Sequence, residues 1–180
     1  LEHTGFTQDH PVLEASPIGD ELVRQAHHPE LLQRLRQSNP DEGLTALDPD
    51  TWMGPTSMAA ALQAAGSVWQ GVNDVVSGDE AQVFCAVRPP GHHAEFDSPM
   101  GFCLLNSVSI AAINALDLPS IDRVAILDFD VHHGNGTVDL CQKHPEILVC
   151  SSFQHPHYPD RLHDVVAPNI VNTPLAAGAS

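Results

Sequence analysis

The chain has 180 residues, of which 42% are hydrophobic, enough for one domain with a buried core and unlike a disordered tail. Seven Lys and Arg stand against 23 Asp and Glu, giving a formal net charge of −16. So acidic a surface argues against nucleic acid as a partner and favours cationic substrates such as lysine-rich tails or polyamines. No apolar run approaches the ~20 residues of a membrane span, and nothing at the start resembles a signal peptide. The four cysteines, Cys85, Cys103, Cys141 and Cys150, form no CxxC pair. Three of them sit in apolar stretches and read as small core residues of a soluble, cytoplasmic protein.

Residues 1–17 predict no element. Over 18–37 the pattern is helical, with Leu22, Val23, Leu31, Leu32 and Leu35 as apolar members and Pro29 as an interruption. Residues 38–53 are loop-like, with Pro40, Gly43 and Pro49 as breakers. An Ala-rich helix is expected over 55–76, with Pro55 in its first turn and Gly78 at its end. A buried strand over 82–87 then runs into the stiff turn Arg88-Pro89-Pro90-Gly91. A helix over 105–116, a buried strand over 123–129, a helix over 137–143 and a strand over 147–151 complete the series. This alternation predicts an α/β fold with a parallel sheet covered on both faces.

In such sheets ligands bind beyond the carboxyl ends of the strands. The polar clusters 88–93, 128–135 and 151–158 each follow a predicted strand, so they point to one shared site. Along Asp128-Phe129-Asp130-Val131-His132, alternation sends Asp128, Asp130 and His132 to one side and the two apolar residues into packing. Two carboxylates and an imidazole at the end of a buried strand are costly to desolvate unless a cation joins them. Mixed Asp and His donors suit zinc.

The pair His92-His93, stiffened by Pro-Pro-Gly, supplies candidates for the general acid and base that a metal-activated water requires. Gly101-Phe102-Cys103 fits the wall of a narrow apolar tunnel. His27-His28 and His155/His157 read as surface or loop positions, and His133, facing away from His132, as structural.

The segments RPPGHHA (88–94), GFCLLN (101–106) and ILDFDVHHGNGT (126–137) together resemble the histone deacetylase superfamily. The likeness is nearest to its bacterial class II-like deacetylases and acetylpolyamine amidohydrolases. It runs from about residue 12 to the end. It implies an arginase/deacetylase-like three-layer α/β fold with a central, mostly parallel sheet, and hydrolysis of an acetyl-amide in acetylated lysine peptides or acetylpolyamines.

By the same resemblance, Asp130 and His132 are zinc ligands. His92 pairs with Asp128, and His93, oriented by Asn135, is the general base or acid. Gly101 and Phe102 line the acyl-lysine tunnel opposite Tyr158, and Asp50 grips the substrate. Asp128, Asp130, His132 and Ser151 surround a structural potassium ion.

Two expected parts have no counterpart in the sequence: a third zinc ligand, an Asp on a later strand, and a carbonyl-polarising Tyr in a Gly-Gly-Tyr turn. The opening strand with its His-Pro-Glu-Arg-Pro-like motif is also not found. Residues 1–180 are therefore expected to form a single partial domain, an internal fragment lacking the N-terminal strand and the C-terminal half. Two competing readings are an inactive fragment or acyl-lysine binding module, and an arginase-like dimanganese ureohydrolase. The second loses a metal ligand because Gly134 stands where that class has a carboxylate. The sequence does not specify an oligomeric state.

Overall fold

In a computed structural model the chain is described at Gly5 and over residues 12–179. Residues 12–17 carry no element, as expected, while 1–4 and 6–11 lie outside the described residues. The helical pattern over 18–37 is two helices, α1 (Asp20–Ala26) and α2 (Pro29–Ser38). Pro29, which has no N–H to give, takes the first position of α2, and the His28 ring accepts from Glu30 N to cap it. Val23, Leu31, Leu32 and Leu35 are fully buried.

The stretch read as a loop over 38–53 holds a two-residue antiparallel ladder between β1 (Thr45–Ala46) and β2 (Trp52–Met53), too short to leave a periodic signal. Its turn is organised by Asp48, whose Oδ1 accepts from Asp50 N at 3.0 Å and from Thr51 N at 2.6 Å. The helix α3 (Ser57–Ser77) ends at Gly78 in the left-handed region, φ 84°. Pro55 sits ahead of the N-cap Thr56, one step outside the first turn where it was expected.

The helices α4 (Ser107–Ala115) and α5 (Asn135–Cys141) alternate with β3 (Val124–Asp128), β4 (Ile147–Gln154) and β5 (Ile170–Leu175). The three strands form a parallel sheet in the order β3-β4-β5. β5 carries Pro174, which weakens its sequence signal, and it went unforeseen. One expectation needs correction. Residues 82–87 join no ladder among the described residues; they lie beside α3, with Cys85 Sγ against Ser67 O, and Phe84 is 75% exposed. Among the described residues, helices pack on one face of the sheet. Ile126, Ile147, Val149 and Ile170 pack into the helical core and Phe153 packs against the His133 ring, whereas Leu127 (71% exposed), Leu148 and Val171 lie on the opposite face.

Buried polar groups tie this core together. Asn169 Nδ2 lies 2.9 Å from the carbonyl oxygens of Cys141, His144 and Ile147, pinning the end of α5 to the start of β4. Contrary to the surface reading of the pair, His27 is almost fully buried. Its Nδ1–H donates to Glu95 O and its Nε2 accepts from Asn106 N, both at 2.9 Å, a pattern available only to the neutral ring.

Burial pushes the His27 pKa down from 6.5 to about 4. Because the folded value is the depressed one, the stability is fully present above the unfolded value and is lost as pH falls from ~6.5 towards ~4. The maximum loss attributable to His27 is roughly 3 kcal/mol. Denaturant unfolding at pH 7 and pH 4.5 should show this slope, and His27→Gln should flatten it. An unchanged slope in the variant would exclude His27 as its origin.

Candidate active site

The site is assembled where the carboxyl end of β3 meets the turn after Pro90 and the start of α5. Asp128 is the last residue of β3, and beyond it the chain leaves the sheet. Two backbone turns closed by carboxylates shape the next residues. Asp128 Oδ1 accepts from Asp130 N at 3.1 Å, and Asp130 Oδ1 accepts from His132 N at 2.7 Å. The same Asp130 oxygen lies 3.0 Å from His132 Nδ1. Alternation thus brings the three together by turns and not by an extended strand. Phe129 and Val131 do point away, but into solvent instead of packing, with Phe129 89% exposed.

The two histidines have different partners. His92 Nδ1–H donates to Asp128 Oδ2 at 2.9 Å, and His93 Nδ1–H donates to Asn135 Oδ1 at 2.7 Å. Their ring centroids are 4.0 Å apart, and the His93 ring lies 5.9 Å from that of His132. Burial, aided by the adjacent His92, lowers the His93 pKa to about 4, so its Nε2 is a free acceptor at neutral pH. Burial also pushes the Asp130 carboxyl up, but the hydrogen bond from His132 N and the charges of His92 and His132 outweigh it and hold Asp130 below the usual range.

Two glycines make these contacts possible. A Cβ on Gly134 would stand 2.3 Å from Asp128 Oδ2, and one on Gly101 would stand 2.4 Å from the His93 ring at a backbone φ of 57°.

The proposed tunnel residues gather around His93. Tyr158 stands edge-on to it, with centroids 5.2 Å apart, and 5.9 Å from His132. Burial and the charges of Asp50 and Asp48 push the Tyr158 phenol up to about 12. Phe102 is largely exposed, and its N–H donates to Thr51 Oγ1 at 3.1 Å, which joins the Asp50 turn to the GFC segment. Asp50 itself is exposed, its carboxyl raised by its neighbour Asp48. Ser151 is buried on β4 in register with Asp128, and its Oγ accepts from Gly134 N. His133 is buried with its ring nitrogens against Arg161 O and Asn172 Oδ1, a structural residue as expected.

Four contributors escaped the sequence reading. Glu95 Oε1 accepts from Asn135 Nδ2 at 2.6 Å, and Arg161 pairs with Glu95 Oε2 at 2.8 Å, extending the His93–Asn135 contact by two more groups. His157 stacks on His132 with centroids 5.0 Å apart, and Thr51 holds Phe102. Glu95, an acid two residues beyond His93, carried a signal. Arg161 carried none, because only the fold brings it there.

Comparison with known proteins places this geometry in context. The histone deacetylase domain family matches residues 1–180. An uncharacterized protein of Synechocystis sp. is 45% identical over 166 residues, which cover 88% of this chain and 53% of that protein. Histone deacetylase 18 of Arabidopsis thaliana is 38% identical, over 87% of this chain and 24% of its own length. A histone deacetylase-like amidohydrolase of Pseudomonas aeruginosa is 33% identical, over 88% and 42%. The crystal structure of the HDA15 HD domain superposes with a TM-score of 0.91 at 30% identity, covering 99% of this chain and 52% of that one. The chain therefore spans about half the length of the first of these relatives and less of the others. Motifs, fold and relatives agree that the chain belongs to the histone deacetylase family.

Proposed function

We propose that this chain carries the greater part of the site of a zinc-dependent amidohydrolase that removes acetyl or other short acyl groups from lysine side chains or polyamines. One observation carries the reading: two adjacent histidines with unlike partners, a carboxylate for His92 and an amide for His93, face Asp130 and His132. The donor chemistry of Asp130 and His132 fits zinc. Oxygen and nitrogen donors 3.0 Å apart are near the ~3.3 Å that two ligands of one tetrahedral ion require. When bound there, zinc supplies Lewis acidity towards the acyl carbonyl and lowers the pKa of a water.

The chain's own residues do the rest. His93, neutral above about pH 4, accepts the proton of the attacking water at Nε2 and delivers it to the departing amine. Asn135 fixes the tautomer by accepting from Nδ1, and Glu95 with Arg161 fixes Asn135. His92, held by Asp128 through Nδ1, presents its other ring nitrogen as a hydrogen-bond partner for the water or the developing oxyanion. Gly101, Phe102 and Tyr158 flank the acyl chain, and Asp50 with Asp48 meets the cationic or amide end of the substrate. Asp128 at the end of β3, its register partner Ser151 on β4, and Asp130 and His132 just beyond β3 are assigned to a structural potassium ion.

A third zinc ligand and a carbonyl-polarising Tyr are assigned to polypeptide beyond these 180 residues, as the greater length of the relatives allows. A dimanganese ureohydrolase is disfavoured on steric grounds: a carboxylate at position 134 would drive its Cβ into Asp128. The four cysteines are free, which suits the reducing cytoplasm, and no helix among the described residues is long and apolar enough to cross a membrane.

In a protein extended to the length of its relatives, His132→Ala should lower the bound zinc by one equivalent per chain, measured by metal analysis after dialysis. A zinc content equal to that of the parent protein would refute the ligand assignment. His93→Ala should lower kcat on an acetyl-lysine reporter by ~10²–10⁴ with zinc content intact. An unchanged rate would remove His93 from the mechanism. The 180-residue chain alone should be nearly inactive, since loss of one carbonyl-polarising group costs ~10²–10³ in rate.

Gly134→Ala should destabilise the fold by ~1–3 kcal/mol and lower activity, because its methyl displaces the Asp128 carboxylate from His92. Thermal melts and rates of the same preparation test this. A fully active variant of native stability would contradict the tight approach.

A further inference from the structure

We propose that His155, Asp160 and His163 bind a divalent transition-metal ion of the zinc class on the loop that carries Tyr158, at a site separate from Asp130 and His132. Three donors spread over nine residues of chain are gathered by the turn that follows β4. Their ligand atoms all lie within 4.8 Å of one another, and among the described residues no other His, Cys, Asp or Glu trio does so. Asp160 Oδ1 stands 3.9 Å from both His155 Nδ1 and His163 Nδ1. That is too long for a hydrogen bond and a little wider than the spacing of donors around one small cation.

The orphaned atom is the stronger clue. His163 Nδ1 is buried and has no hydrogen-bond partner among the described residues, although it faces this cluster. Buried ring nitrogens are normally partnered, and each exception calls for a cause. The His155 and His163 rings lie side by side, centroids 4.4 Å apart and tilted by 33°, so both can turn a nitrogen towards the Asp160 oxygen. Two imidazoles and one carboxylate form a donor set that suits zinc and leaves a fourth position for solvent.

The consequence concerns the proposed active site. The loop between His155 and His163 bears Tyr158, whose ring stands against His93 and His132, and Arg161, which pairs with Glu95. An ion joining the two ends of this loop acts as a strap that fixes the Tyr158 wall. It touches no reacting atom, so its role is positional.

The test uses zinc and cobalt salts as probes on the metal-stripped protein. In an Asp130→Asn/His132→Ala background, which removes the other candidate site, calorimetric titration should find one zinc per chain. Cobalt should give the intense visible bands of a four-coordinate nitrogen and oxygen site. Adding His155→Gln and His163→Gln should weaken zinc binding at least 100-fold and abolish the bands. If the double glutamine variant misfolds, Asp160→Asn, at an exposed position, should weaken binding at least tenfold with its far-ultraviolet spectrum unchanged. Absence of zinc binding in the background protein would overturn the proposal. So would undiminished binding after the loop substitutions, since other histidines among the 12 would then be responsible. Failure of the Asp130/His132 assignment is read separately, as equal zinc stoichiometry in the parent and the background protein.

Discussion

The start of α5 lies directly on the backbone of residues 91–95, and the rest of the site depends on that approach. Thr137 N donates to His92 O at 3.1 Å, Asn135 Nδ2 reaches His93 O, and a Cβ on Gly136 would stand 2.2 Å from Ala94 O. Without a side chain at 136 the two segments close to main-chain distance, which sets His93 opposite Asn135 and His92 opposite Asp128. The chain before α5 is constrained in turn, because Gly134 must also pass Asp128 without a Cβ.

Behind this contact lies a buried polar lattice. His27 bridges Glu95 O and Asn106 N, and Asn106 Nδ2 reaches Ala94 O and Thr137 Oγ1. Glu95 presents its backbone to His27 and its side chain to Asn135, so the α1–α2 junction and the histidine pair share one support. Buried networks of this kind are stiff when every member is satisfied. Catalysis by proton transfer needs such stiffness, because small displacements of a base cost rate.

Apolar burial is distributed unevenly around the site. The inner face of the sheet packs on α4 and α5, while the outer face, with Leu127, Leu148 and Val171, stays exposed. Within the site, the His92–Asp128 pair is the more buried and the Asp130–His132 pair the more exposed.

Much of this was written in the residues. Pro29, the Ala-rich run before Gly78 and the apolar strands fixed most elements, because local sterics and hydrophobic periodicity act within a few residues. The dense run from Asp128 to Gly136 and the His92-His93 pair marked the family and the candidate roles, since rare residue types at fixed spacing carry chemistry wherever they occur. Tertiary structure alone decided the rest. Residues 82–87 look like a strand but find no ladder among the described residues, since pairing depends on a neighbour the sequence does not name. His27, alike in type to any surface histidine, became a core residue because Glu95 and Asn106, 68 and 79 positions away, supply its hydrogen bonds. The Glu95–Arg161 pair and the His155, Asp160 and His163 cluster likewise exist only through loop folding, for contacts between distant or irregular segments leave no period to read.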